Sequence, residues 1–148
     1  MVQTEAKPVT TLSLVGIFAA LFCGLAVLLM LITYLVDFDN PAMGVILTFV
    51  AAMSTAQIWV TREKAAPQSG RAWRVALICG LVATAISAAL AAVSFVADPA
   101  LLAELQADAD STAIIAAIAV GVTGLNILII RLGLWLGGRQ ALKALPKA

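Results

Sequence analysis

Four long stretches of the chain contain no charged side chain, and they constrain the fold more than any other feature. They run from Leu12 to Val36, from Ala42 to Thr61, from Val75 to Ala97 and from Ser111 to Ile130. A helix of about 20 apolar residues crosses the ~30 Å hydrocarbon core of a bilayer. Backbone groups in lipid must pair within their own segment, so each stretch is predicted to be a helix.

The composition agrees with four membrane spans and excludes several other classes of protein. Of the 148 residues, 63% are hydrophobic and only 11% are charged. A soluble domain is about 45–50% apolar and about 25% charged, and one of this size cannot bury so much apolar surface. We therefore exclude an ordinary soluble enzyme, a disordered tail and a nucleic-acid-binding protein. The prediction is an all-α integral membrane protein with one domain, residues 1–148.

The connections between the predicted helices are short. Residues 37–41 are expected to form a tight turn, and Pro67 to Gly70 are expected to break the loop 62–74. Residues 98–110 fit a short helix on the membrane surface or a plain acidic loop equally well. The predicted helices, counting the apolar residues that resume after Arg131, are about 12–36, 42–61, 75–97 and 111–138.

The charges separate by side once four spans are assumed. All nine basic residues fall on one side, namely Lys7, Arg62, Lys64, Arg71, Arg74, Arg131, Arg139, Lys143 and Lys147. Six of the eight acids fall on the other side, namely Asp37, Asp39, Asp98, Glu104, Asp108 and Asp110. Loops rich in Lys and Arg stay in the cytoplasm. Both termini are therefore predicted to be cytoplasmic, with Glu5 and Glu63 as the acids on the basic side.

Small residues form stripes on the third and fourth predicted helices. Helices gain little hydrophobic energy by meeting in lipid, so small residues that allow close approach matter for their association. Packing within the chain is the simpler interpretation, and docking of another subunit is the alternative. The Gly133–Gly137 pair has GxxxG spacing but lies after Arg131, near the interface. The candidate packing or docking residues are Gly80, Thr84, Ser87, Ala117, Gly121 and Gly124.

Two amides and one basic loop complete the candidate residues. Gln57 and Asn126 are predicted to lie at similar depth in the inner leaflet and to face the protein interior or a bound partner. Structural hydrogen bonding is their simpler role, and contact with a ligand or lipid headgroup is the alternative. The loop residues that are candidates for contact with anionic lipid headgroups, beyond giving the topology signal, are Arg62, Lys64, Arg71 and Arg74.

Side chains that carry catalysis or bind cofactors are scarce. The chain has no His, and none of the four stretches contains Asp or Glu, which argues against a proton-coupled antiporter. Cys23 and Cys79 form no CxxC motif and are expected to be packing residues. The acids of the loop 98–110 fit a solvated surface better than a metal site. We expect no catalytic residue, no cofactor and no metal.

A resemblance to a known family rests on three segments of the sequence, namely Ala51 to Gln57, the basic Arg62 to Lys64, and Ala66 to Arg74. They resemble a family of small, uncharacterised four-helix inner-membrane proteins of Gram-negative bacteria. In that family, a Gln near the end of helix 2 precedes a basic, Pro-containing loop and a Trp that opens helix 3. Gln57, Pro67 and Trp73 occupy these positions here. The resemblance implies a fold and a location, without an activity or a catalytic residue.

These observations favour a non-enzymatic accessory, scaffold or assembly subunit of a larger bacterial membrane complex. The expected partners are the lipid bilayer and other membrane protein subunits, or further copies of the chain. The alternative is a small homo-oligomeric transporter or channel with an uncharged polar pore. Such a pore would use Gln57, Thr84, Ser87, Thr123 and Asn126.

Overall fold

Four α-helices make up the computed structural model, which describes residues 8–36, 42–97 and 111–145. The helices are α1 (Thr11–Val36), α2 (Met43–Glu63), α3 (Ser69–Ala97) and α4 (Ser111–Ala144). All four are long and apolar enough to cross a membrane. The predicted all-helical fold is confirmed for the described residues. The expected turn at 37–41 and the expected surface helix or acidic loop at 98–110 lie outside them.

Two helices extend beyond the apolar stretches that predict them. Helix α3 begins at Ser69, so the expected break at Ser69 and Gly70 is wrong. Pro67 lies just before the first turn of α3, and Gly70 lies within that turn, where a helix tolerates Gly. Helix α4 has 34 residues and ends at Ala144, which gives it a length of about 51 Å against a hydrocarbon core of ~30 Å. Its basic C-terminal turns therefore continue beyond the apolar part.

Only five residues, 64–68, connect α2 to α3. Helix α2 ends where Lys64 adopts the left-handed backbone conformation, with φ of 51°. The Lys64 N–H donates to the Val60 carbonyl at 2.7 Å, which caps the last turn. The chain can therefore reverse direction within a short loop that carries Pro67.

The order of helices around the bundle differs from their order in the chain. Helix α4 packs against α2 most extensively and also against α3, while α1 packs against α2 and α3. The helices therefore follow each other around the bundle as α1, α2, α4 and α3. Helices α2 and α3 occupy opposite corners although they are consecutive in the chain.

The core lies at one end of the bundle. Its buried side chains come from the first half of α1, the second half of α2, the first half of α3 and the second half of α4. Because successive helices alternate in direction, these four halves meet at the same end. Trp59, Phe18 and Leu14 are the largest fully buried side chains there. The other halves expose large apolar side chains, such as Met30, Leu90 and Val120, as helices do when lipid surrounds them.

The closest approach of α2 and α4 occurs at two glycines. A methyl group added to Gly133 would lie 2.8 Å from Ala52 Cβ and 3.0 Å from the Phe49 carbonyl oxygen. One added to Gly137 would collide with the Met53 carbonyl oxygen and lie 2.9 Å from Met53 Cα. The GxxxG pair after Arg131 is therefore a helix-packing motif within the chain, as small residues are in membrane helix bundles.

We expect Gly137→Ala to destabilise the bundle by about 2 kcal/mol, because the added methyl meets the backbone of α2, which cannot rotate away. Thermal unfolding of the detergent-solubilised protein measures the loss. Gly121→Ala is the matched control, since a methyl at Gly121 meets no described atom within 4 Å. An unfolding temperature for Gly137→Ala equal to that of the control would contradict the close approach.

Candidate functional site

One face of α4 carries small residues that no other described helix covers. Ala117, Gly121 and Gly124 are all exposed. A methyl group added to Gly121 or Gly124 would meet nothing within 4 Å among the described residues. At 3.6 residues per turn these glycines lie on the side of α4 opposite Gly133 and Gly137, which contact α2. The outer face of α4, meaning Ala117, Gly121 and Gly124, is therefore not covered by any of the described residues.

The three candidate residues of α3 have different surroundings. Gly80 is buried, and its Cα hydrogens face Ile127 of α4, so it belongs to the packing of the bundle. Thr84 is half-buried, and its hydroxyl has no hydrogen-bond partner among the described residues. Ser87 is exposed. The structure therefore divides this stripe between the interior of the bundle and its surface.

The two amides lie far apart along the bundle. Gln57 and Asn126 are both half-buried. Gln57 lies between Met53, which contacts Gly137, and Val60, which packs near Gly138. Asn126 precedes Gly137 by 11 residues, a rise of about 16 Å along α4. The prediction of similar depth is wrong because α4 continues well beyond Arg131, so Arg131 does not mark the end of the helix.

The basic side chains gather at the end of the bundle that holds the core. Arg62, Lys64 and Arg74 are exposed there. Arg71 differs, because its guanidinium is engaged within the protein. Its Nη1 donates to Glu63 Oε1 at 2.9 Å and to Oε2 at 3.2 Å, and its Nη2 donates to the Val9 carbonyl oxygen.

Glu63 and Arg71 join three parts of the chain. The Val9 N–H donates to Glu63 Oε1 at 2.8 Å, so the segment before α1 is tied to the end of α2. The Arg71 guanidinium connects both to the first turn of α3, with side chains 29% exposed for Arg71 and 14% for Glu63. This shielding makes the pair stronger than an ion pair in open water. The sequence marks Glu63 as an acid on the basic side but does not identify its partners.

All three tryptophans of the chain lie beneath arginines at this end. The Arg71 Cζ is 5.0 Å from the Trp59 ring centroid, and the Arg131 Cζ is 5.6 Å from that of Trp73. The Arg139 Cζ is 4.2 Å from the Trp135 ring centroid. Guanidinium groups at such distances are attracted to the negative face of the indole. These contacts fix the direction of three cationic side chains at the core end.

Other residues that could carry chemistry are few in the described part of the chain. Cys23 is exposed, Cys79 is buried, and both are free thiols. No group of three or more His, Cys, Asp or Glu that could hold a metal ion occurs in residues 8–36, 42–97 and 111–145. The acids considered for a metal site, Asp98, Glu104, Asp108 and Asp110, lie outside these ranges.

No family model, curated protein or solved structure matches the chain. The resemblance to a family of four-helix inner-membrane proteins therefore stays a prediction.

We expect Glu63→Gln to lower the free energy of unfolding by about 2 kcal/mol, because the charge-assisted hydrogen bonds from Arg71 and Val9 weaken. Arg71→Gln should lower it comparably. The double variant should lose less than the sum of the two single losses, since either change alone breaks the same interaction. Thermal unfolding in detergent gives all three values.

Arg74→Gln is the control for this cycle, because it removes one positive charge from the same helix at an exposed position. Its unfolding temperature should stay close to that of the wild-type protein. Additive losses from Glu63→Gln and Arg71→Gln would show that the two side chains do not act together.

Proposed function

We propose that the chain is a non-enzymatic accessory or assembly subunit that docks to a transmembrane helix of a different membrane protein through the outer face of α4. The observation that carries this proposal is the open space at Gly121 and Gly124. Small residues that let two helices approach closely favour association in lipid. Gly133 and Gly137 allow α2 to approach α4 closely within the chain. Gly121 and Gly124 would allow a helix of another protein to approach α4 in the same way.

The neighbourhood of these glycines supports docking. The described side chains in the N-terminal half of α4 are mostly exposed, and Leu125 and Leu128 expose apolar side chains beside the outer face. A transmembrane helix of another protein could thus pack against the outer face of α4, with larger apolar side chains on either side of its contact. A closely fitting helix makes more dispersion contacts with this surface than lipid acyl chains do, and the difference favours docking.

We further propose that the bundle spans the inner membrane of a bacterium with both termini in the cytoplasm. The core end holds all the described basic residues, namely Arg62, Lys64, Arg71, Arg74, Arg131, Arg139 and Lys143. Trp73 and Trp135 are partly exposed at the same end, as expected of side chains that prefer the membrane interface. Both the charge rule and the aromatic side chains favour placing this end at the cytoplasmic face.

Docking is tested with a photo-crosslinking amino acid placed at position 121 of the full chain in its native host. We expect a discrete adduct with one other membrane protein, identified by mass spectrometry. Gly124→Leu should remove the adduct, because the added side chain fills the groove, while the unfolding temperature of the purified chain stays unchanged. Gly24→Leu is the matched control, since Gly24 on α1 is also exposed with nothing within 4 Å.

Two results would contradict the docking proposal. Adducts with lipid alone would show that no helix covers the outer face of α4. An adduct with the mass of two copies of the chain would favour the homo-oligomeric transporter or channel instead.

The orientation is tested with reporters fused after Ala148. A fluorescent protein that folds only in the cytoplasm should be active there, and alkaline phosphatase, which needs the oxidising periplasm, should be inactive. A phosphatase inserted between Asp98 and Asp110 should show the reverse, because that loop carries acids and no base. An active phosphatase at the C-terminus would overturn the orientation.

A further inference from the structure

A groove of about 390 Å³ opens between the first turns of α3 and the C-terminal half of α4. The loop before α3 closes one side of it, and α4 forms the other. The lining combines cationic, aromatic and apolar side chains, among them Pro67, Ser69, Arg131, Trp135, Arg139 and Leu142. None of the ten lining residues, all of them in the described ranges, carries a carboxylate.

Two guanidinium groups face this groove with hydrogen-bond donors to spare. Arg131 and Arg139 are eight residues apart, so their Cα atoms are separated by about 12 Å along the axis of α4, and both long side chains reach the same groove. The Nε of Arg131 is buried and has no hydrogen-bond partner among the described residues. Stacking over Trp73 and Trp135 holds the two guanidinium groups but uses none of their N–H donors. An anionic ligand in the groove would give this buried cationic donor a charge-assisted hydrogen bond.

The N-terminus of α3 adds further positive potential. The Ala72 N–H donates to the Gln68 carbonyl at 2.9 Å and is the first of the helix to do so. The N–H groups of Ser69, Gly70 and Arg71 therefore have no acceptor within the helix. Ser69 and Ala72 line the groove, so the positive end of this helix lies beside the two arginines.

The rest of the lining is apolar. Leu134 and Leu142 of α4 and Ala66 and Ala72 on the opposite side offer hydrocarbon surface beside the charges. Free phosphate would use only the cationic part of such a site. An amphiphile with a phosphate headgroup and acyl chains would use both parts, and it is abundant in the membrane that these helices are suited to cross.

We propose that this groove binds one anionic phospholipid, with its phosphate held by Arg131 and Arg139 beside the N-terminus of α3. Its acyl chains would follow the apolar surface of α4. This site is distinct from the exposed Arg62, Lys64 and Arg74, which attract anionic headgroups only through their charge. The proposal does not depend on the docking of a partner to the outer face of α4.

Native mass spectrometry of the full-length protein, released from detergent and titrated with defined lipids, tests the site. Phosphatidylglycerol should bind one per chain, roughly tenfold more tightly than phosphatidylcholine, because the choline cation opposes the two guanidinium groups. Arg139→Gln should weaken phosphatidylglycerol binding by roughly five- to tenfold, in line with the loss of one basic contact. Arg139 is exposed, so this variant is expected to fold.

Arg62→Gln is the matched control, because Arg62 is exposed at the same end of the bundle and does not line the groove. Its affinity for phosphatidylglycerol should equal that of the wild type. Glycerol 3-phosphate at millimolar concentration should fail to displace the lipid. An equal loss in Arg62→Gln would overturn the groove as the site, and displacement by glycerol 3-phosphate would overturn the lipid as its occupant. Equal binding of the two lipids would overturn the role of the arginines.

Discussion

Helices that lie in lipid gain little free energy by hiding apolar surface from one another, because the acyl chains are as apolar as the side chains they replace. A bundle of this composition therefore depends on how closely its backbones approach. Gly133 and Gly137 bring α4 against the backbone of α2 at Phe49, Ala52 and Met53, and the many weak dispersion contacts of such a crossing add up. Glu63 and Arg71 supply the second kind of attachment, in which charges outside the apolar region join helix ends.

Both kinds of contact lie at the same end, and this asymmetry organises the molecule. The core, the arginine–tryptophan pairs and the groove between α3 and α4 are all built there. The opposite halves of the helices expose apolar side chains, and on α4 this exposed region includes Gly121 and Gly124. The proposed partner contact and the proposed lipid site therefore occupy different ends of the molecule, one within the apolar region and the other near its boundary.

The sequence predicts the number and kind of helices well, because a run of 20 or more uncharged residues has few alternatives to a helix in lipid. It predicts their ends poorly, since Arg71 and Arg139 are good helix formers that continue α3 and α4 past the apolar runs. The sequence also does not predict which side of a helix faces its neighbours. Gly121 and Gly133 are the same residue type on the same helix, but Gly133 packs against α2 whereas Gly121 is exposed. Only the position of α2 in the fold distinguishes them. The sequence does not identify the contacts of Glu63 either, since Val9 is 54 residues away in the chain and Arg71 is brought close by the reversal of the loop 64–68.

The arrangement of the helices around the bundle also bears on how it is made. The N-terminus of the chain leaves the ribosome first, and folding during synthesis generally begins with the N-terminal parts. Helix α2 packs most extensively on α4, which is synthesised last, with the whole of α3 in between. During translation, α2 is therefore made well before its main neighbour α4, and in a bilayer it would first have α1 beside it. The contact of Gly133 and Gly137 with α2 forms only after α4 has been made, so under the proposed membrane insertion Ala52 and Met53 of a nascent chain would face lipid or the insertion machinery until then.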